Sequence, residues 1–85
     1  MRERRQFFRM RFGSRVQVTH PAYGSAVFRM GDVSDGGLYL LNGSFELDIG
    51  DEITMQILDL PEEGPVVRVL VVRADPGGVG LQFAE

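Results

Sequence analysis

The chain has 85 residues, no Cys, no Trp, a single His and a formal net charge of −3, which suits one small domain. These counts exclude a disulfide framework, a thiolate nucleophile and a zinc site built on Cys or on a His pair, and the length excludes the large barrel and doubly wound enzyme folds. Because no apolar stretch approaches the roughly 18 residues of a membrane span and the charged N-terminus does not resemble a signal peptide, we expect a cytoplasmic protein.

The first element in the chain is a basic arm at residues 1–13. All nine basic residues are Arg, and six of them lie in residues 1–15 with a single Glu, for a local charge of +5. Residues 30–85 carry eleven acidic residues and two Arg, for a local charge of −9. Arg suits forked recognition of phosphates and guanine edges. The arm is therefore either a recognition element or a solvated segment that pairs with the acidic body.

The rest of the chain predicts strands. Eleven Gly and four Pro are spread along it, and no segment keeps the apolar spacing of an amphipathic helix for three turns. Alternating or β-branched runs, separated by turn residues, predict six strands at residues 14–20, 25–33, 36–41, 52–58, 66–74 and 79–83. We therefore predict an all-β protein with one domain over residues 1–85, in which a flexible arm at 1–13 precedes a small six-stranded antiparallel β-barrel at 14–85. Closure into a barrel removes the exposed edges that a small sheet would otherwise present.

Several polar and apolar side chains have plain structural interpretations. His20 precedes a Pro and is expected to be a turn residue, since no nucleophile or second His accompanies it. The acidic residues at 48–52 lack the spacing of a calcium loop and are expected to form a solvated turn. Met30 and Tyr39 are expected in the core or at the barrel lip.

The first of two short motifs is an R-x-x-x-R in the arm. It is formed by Arg5 and Arg9, and Arg4 directly precedes it. Two Arg four residues apart occur often by chance in an Arg-rich segment, so this motif alone is weak.

The second motif is a D-x-S-x-x-G at the junction of the second and third predicted strands. It consists of Asp32, Ser34 and Gly37. On its own it also fits a simple turn, in which the Asp and Ser side chains bond nearby amides and Gly37 supplies an unusual φ.

In this order, and followed by an apolar strand, the two motifs resemble those of the PilZ domain. The resemblance includes residues 3–9, residues 32–40 and the closing run at 78–83, and so covers essentially the whole chain. It implies a small split β-barrel that binds the bacterial second messenger cyclic di-GMP and has no enzymatic activity. Many PilZ domains carry a helix after the last strand, and this sequence ends at Glu85 without one.

The resemblance implies a role for each motif residue. Guanine presents O6 and N7 to a forked guanidinium, its face accepts a stacked Arg, and phosphates accept charge-assisted hydrogen bonds, all of which Arg5 and Arg9 can supply. Asp32 would accept hydrogen bonds from guanine N1–H and N2–H₂. Ser34 would bond the ligand or its own loop, and Gly37 would let the backbone come close.

Arg4 adds a third guanidinium to the arm. In the family, the residue just before the R-x-x-x-R looks like the one that selects between one and two bound ligands, with Arg favouring two. We therefore expect a stacked pair of cyclic di-GMP molecules. The alternative is that Arg4 points to solvent or pairs with Glu3 or Asp35.

Two other functions remain open. The Arg and Phe residues of the arm could bind nucleic acid, as on other small barrels, although the acidic body disfavours this. The chain could also be a protein-interaction barrel with vestigial motifs. Enzymatic activity, a cofactor and a metal site are not expected, because no paired general acid and base or ligand cluster is present. A PilZ-like barrel has no output domain, so we expect it to act by docking to a downstream protein partner or as part of a larger chain.

Overall fold

Residues 13–33 and 37–84 are the part of the chain that the computed structural model describes, and they form six strands and no helix. The strands are β1 (Arg15–His20), β2 (Gly24–Val33), β3 (Gly37–Leu41), β4 (Glu52–Ile57), β5 (Val66–Asp75) and β6 (Gly78–Phe83). Every predicted strand is confirmed, and its ends move by at most one residue. This part of the chain accordingly holds no helix with the length and apolarity needed to cross a membrane.

The six strands close into an antiparallel barrel in the order β1-β2-β3-β6-β5-β4, with β4 pairing back to β1. Two of the pairings, β1 with β4 and β3 with β6, join strands that are distant in sequence. Each strand therefore has a hydrogen-bonded neighbour on both sides, which removes sheet edges. The predicted fold class is confirmed.

Alternation along the strands fills the barrel with apolar side chains. Val16 and Val18 of β1 and Met30 of β2 are fully buried, as their spacing predicted. Leu47 enters the core from the connection between β3 and β4, where no strand periodicity marks it. The buried apolar set is Val16, Val18, Phe28, Met30, Leu38, Leu40, Leu47, Ile53, Met55, Val69, Val71, Val79 and Leu81. Burying one such large side chain stabilises the fold by about 1.5–3 kcal/mol.

The acidic turn at 48–52 is tied to the barrel rather than only solvated. Nδ1 of His20 accepts a hydrogen bond from the amide of Ala22, so Nε2 carries the proton and donates to Oδ2 of Asp51, 3.1 Å away. The same oxygen accepts the amide of Asp48, and this bond, helped by His20, lowers the pKa of Asp51. His20 also stacks on Tyr23, with ring centroids 4.4 Å apart. Asp51 is therefore bonded to β1 as well as half-exposed, while Asp48 and Glu52 are exposed as expected.

Gly37 is required by the pairing of β3 with β6. It lies opposite Gln82, and a Cβ at this position would overlap the carbonyl oxygen of Leu81. The constraint at this position is therefore the close approach of two backbones.

We predict that Gly37→Ala destabilises the barrel by about 1–3 kcal/mol, the usual cost of forcing an extra methyl group into a packed site. Gly64→Ala is the matched control, because the close neighbour of a Cβ there is the movable end of the Leu60 side chain and the Ile57 carbonyl oxygen, 3.5 Å away, is in ordinary contact. Urea unfolding of both variants and the wild type measures the difference. If the two variants were equally stable, β3 and β6 would be able to move apart around the added methyl group without cost, and the prediction would be wrong.

Candidate functional site

A surface cavity of about 660 Å³ lies where β2, β3, β6 and β5 run side by side. Its walls are residues 37–39 of β3, residues 80–82 of β6, Val72 and Arg73 of β5, and Asp32 of β2. Ligand pockets for small molecules commonly enclose about 300–1,000 Å³. The cavity is therefore large enough for a nucleotide-sized ligand.

Two bulges shape this cavity. Between the pairs Met30–Leu40 and Val33–Leu38, β2 has two residues where β3 has one, so an extra residue sits beside Asp32. On the other side, Val72 is the extra residue of β5. A bulge bends its strand and redirects the adjacent side chains. Asp32 lies within β2, in agreement with the predicted strand at 25–33, and its side chain is exposed.

Asp32 is an open hydrogen-bond acceptor at the cavity wall. Over residues 13–33 and 37–84, its carboxylate takes part in no hydrogen bond or ion pair. An ionised carboxylate accepts through two oxygens. It can therefore bind a group with two adjacent N–H donors without breaking a contact within the described barrel.

Tyr39 and Asp75 form a hydrogen-bonded pair beside the cavity. The Tyr39 hydroxyl donates to Oδ1 of Asp75 at 2.5 Å, and the same oxygen accepts the amides of Gly77 and Gly78 at 2.9 and 3.1 Å. The hydroxyl of Tyr39, followed by these amides, lowers the pKa of Asp75. The same hydrogen bond is the main cause that raises the pKa of Tyr39. At neutral pH the pair is thus a carboxylate and a protonated phenol in fixed positions.

The side chain of Arg73, on β5, extends over Gly80 of the neighbouring strand β6. The register aligns Tyr39 with Gly80 and Gly80 with Arg73 on three adjacent strands. A Cβ on Gly80 would come within 3.2 Å of Nε and 3.3 Å of Nη2 of Arg73. The glycine therefore gives the guanidinium room to lie close to the sheet.

The structure brings together part of the predicted site. Asp32 and Gly37, the first and last residues of the second motif, line the same cavity. Ser34 and the arm residues lie outside the described residues; the arm residues are Arg4, Arg5 and Arg9. Met30 is in the core, as expected, whereas Tyr39 is half-buried and lines the cavity itself.

Arg73 and Asp75 were not among the predicted site residues. A weak signal was present, because the β-branched run of the fifth strand ends at Val72 and Arg73 follows it within the strand. Neither residue belongs to a motif, and only the β5–β6 register shows that Arg73 faces the cavity. No cluster of three His, Asp or Glu side chains suited to a metal ion occurs within the two described ranges.

Comparison with known proteins identifies the family. No curated protein matches the chain. The family model for the PilZ domain matches residues 3–85, a range that includes both motifs and all six strands. The match covers nearly the whole length of the chain, and the chain therefore belongs to the PilZ domain family.

Proposed function

We propose that this chain is a non-enzymatic receptor domain for cyclic di-GMP, the ligand for which the PilZ family is known. The observation that carries the proposal is the shared cavity of Asp32 and Gly37, the two described residues of the second motif. The cavity volume of about 660 Å³ suits a ligand of nucleotide size.

Asp32 supplies the guanine specificity in this proposal. Guanine carries adjacent donors at N1 and N2, and the Asp32 carboxylate has both oxygens available within the described barrel. Charge-assisted hydrogen bonds of this kind are about twice as strong as neutral ones. Adenine has no such donor pair, so Asp32 favours a guanine base.

The attachment point of the arm supports a role for Arg5 and Arg9 at the same cavity. The Gly13 amide donates to the carbonyl of Met30 at 2.6 Å, and Arg29 donates to the carbonyl of Gly13 at 2.9 Å. Met30 lies two residues before Asp32 on the same strand. Arg9 is four residues from Gly13, a distance that an extended chain spans with up to about 14 Å. Both arginines can therefore reach the ligand from a fixed root beside the cavity.

In the proposed complex the arm closes over the ligand and holds it against the barrel. Arg5 and Arg9 bind guanine edges and phosphates, Asp32 binds a guanine donor edge, and Ser34 bonds the ligand or its loop. Binding then changes the surface that the protein presents to a downstream protein partner.

We predict that Arg9→Ala weakens cyclic di-GMP binding roughly ten- to hundredfold, because one charge-assisted or bidentate contact is worth about 1–3 kcal/mol. Calorimetric titration measures the affinity, with Arg68→Ala as the control. Arg68 is exposed on β5 and lines a different concavity, with Thr54 and Glu52.

Wild-type affinity in Arg9→Ala would show that the first motif is assigned wrongly. Absence of wild-type binding would overturn the receptor proposal itself. A nucleic-acid binder would instead prefer a homopolymer and lose orders of magnitude in affinity between about 50 and 200 mM salt.

We also predict two cyclic di-GMP molecules per chain at saturation. The second copy interleaves its guanines with the first and doubles the phosphate charge, which the additional guanidinium of Arg4 offsets. Titration should give a stoichiometry near two for the wild type and a value nearer one for Arg4→Leu. A wild-type stoichiometry of one would contradict the prediction and leave Arg4 as a surface charge without a role in binding.

If the arm acts as a lid, cyclic di-GMP should slow amide exchange across residues 2–12. The reason is that contacts with the ligand hold the backbone of the arm in one conformation. Strands β1 and β4, which do not line the cavity, are the internal reference. Equal protection of residues 2–12 with and without ligand would contradict closure.

A further inference from the structure

A cationic side chain outside both motifs lines the same cavity as Asp32. Arg73 lies on β5, next to the bulge at Val72, and its side chain is exposed. In the described ranges it makes no hydrogen bond and no ion pair. The five N–H donors of its guanidinium are thus not satisfied by the described barrel.

The backbone of β6 leaves room for this guanidinium. Because Gly80 has no side chain, the Arg73 stem and head lie against β6, with Cβ, Nε and Nη2 all within 3.3 Å of the place where a Cβ would stand. The pairing of Arg73 with Gly80 in the sheet sets the position of the Arg73 Cα, from which the side chain extends. A planar, forked donor that lies along the wall and makes no hydrogen bond in the described barrel is suited to binding an acceptor group from the ligand.

Arg73 and Asp32 stand on opposite sides of the cavity. Their strands are separated by β3 and β6, and three inter-strand spacings of about 4.8 Å place the strands roughly 14 Å apart along the sheet. Because the Arg73 side chain extends over β6, the distance along the sheet from its guanidinium to the Asp32 strand is about two inter-strand spacings, roughly 10 Å. A single guanine is too short to bridge that distance, whereas a ligand with two bases and two phosphates is long enough.

We propose that Arg73 is a ligand-binding residue, which donates to acceptor atoms of bound cyclic di-GMP at the end of the cavity opposite Asp32. The acceptors are a phosphate oxygen or the O6 and N7 edge of a guanine. This inference rests on the proposed receptor function and adds to it a contact from the barrel wall. The ligand is then bound at two ends by groups of opposite charge, both of which belong to strands.

Calorimetric titration of Arg73→Gln with cyclic di-GMP tests the proposal, and Arg68→Gln is the matched control. Both residues are exposed on β5 and both substitutions remove one positive charge, but Arg68 lies outside this cavity. We expect Arg73→Gln to bind about tenfold more weakly or worse, and Arg68→Gln to bind like the wild type. Without ligand, all three proteins should unfold at nearly the same temperature, since an exposed side chain that makes no hydrogen bond or ion pair in the described barrel adds little to stability.

Equal affinity of Arg73→Gln and Arg68→Gln, with tight binding by the wild type, would overturn the role of Arg73 and leave the receptor function standing. No binding by the wild type would overturn both. If Arg73→Gln unfolds at a lower temperature, Arg73→Lys decides the question, because it keeps the charge and loses the fork. Wild-type affinity in Arg73→Lys would exclude forked recognition, and partial recovery would support it.

A cyclic di-GMP analogue with 7-deazaguanine bases identifies the acceptor. If Arg73 binds the guanine edge, the difference in affinity between the wild type and Arg73→Gln is smaller for this analogue than for cyclic di-GMP, because N7 is missing. If Arg73 binds a phosphate, the difference stays the same. A difference that grows with the analogue would contradict a contact with either group.

Discussion

The pairing of β3 with β6 is the contact on which the barrel and its cavity both depend. It joins strands that are far apart in sequence, and it requires Gly37 because the Leu81 carbonyl occupies the place of a side chain. Without it, β3 would have no partner beyond β2, and Tyr39, Gly80 and Arg73 would not lie in one row. The same backbone approach therefore closes the fold and builds the cavity floor. A loss of ligand binding in a Gly37 variant would consequently report on the barrel as much as on the ligand.

Carboxylates in this protein serve two different purposes. Asp59 accepts Nε and Nη2 of Arg15 and also its backbone amide, and these bonds, the backbone one first, lower the pKa of Asp59. Asp51 and Asp75 likewise accept amides and have lowered pKa values. A carboxyl group whose pKa is lower in the folded state stabilises the protein above its unfolded pKa, and this contribution is lost as the pH falls through the folded value. At neutral pH all three are ionised and structural, whereas Asp32 has no such partners in the described barrel.

The strands could be predicted from the sequence because the physics that forms them is local. Alternation in β1, β2, β4 and β6 sets which residues face inward, and turn residues mark the ends. Leu47 could not be found in this way, since its burial depends on how the connection after β3 packs against the core. Asp32 and Gly37 were found because they belong to a motif. Arg73 belongs to no motif, and its place follows from the β5–β6 register and from the bulge at Val72, which no local pattern specifies.

The contrast between Arg73 and Arg15 explains why one guanidinium is available to a ligand and the other is not. Oδ1 of Asp59 accepts hydrogen bonds from Nε and Nη2 of Arg15, and Oδ2 accepts the backbone amide of Arg15. Both carboxylate oxygens are therefore bonded to the same residue. Arg73 has Asp75 two residues away on its own strand, but Oδ1 of Asp75 already accepts the Tyr39 hydroxyl and two turn amides. These donors hold Asp75 at the β5–β6 turn, where it caps the backbone instead of closing on Arg73. Arg73 thus helps to lower the pKa of Asp75 through its charge but forms no hydrogen bond or ion pair with it in the described barrel, and it stands at a cavity whose other wall carries the Asp32 carboxylate.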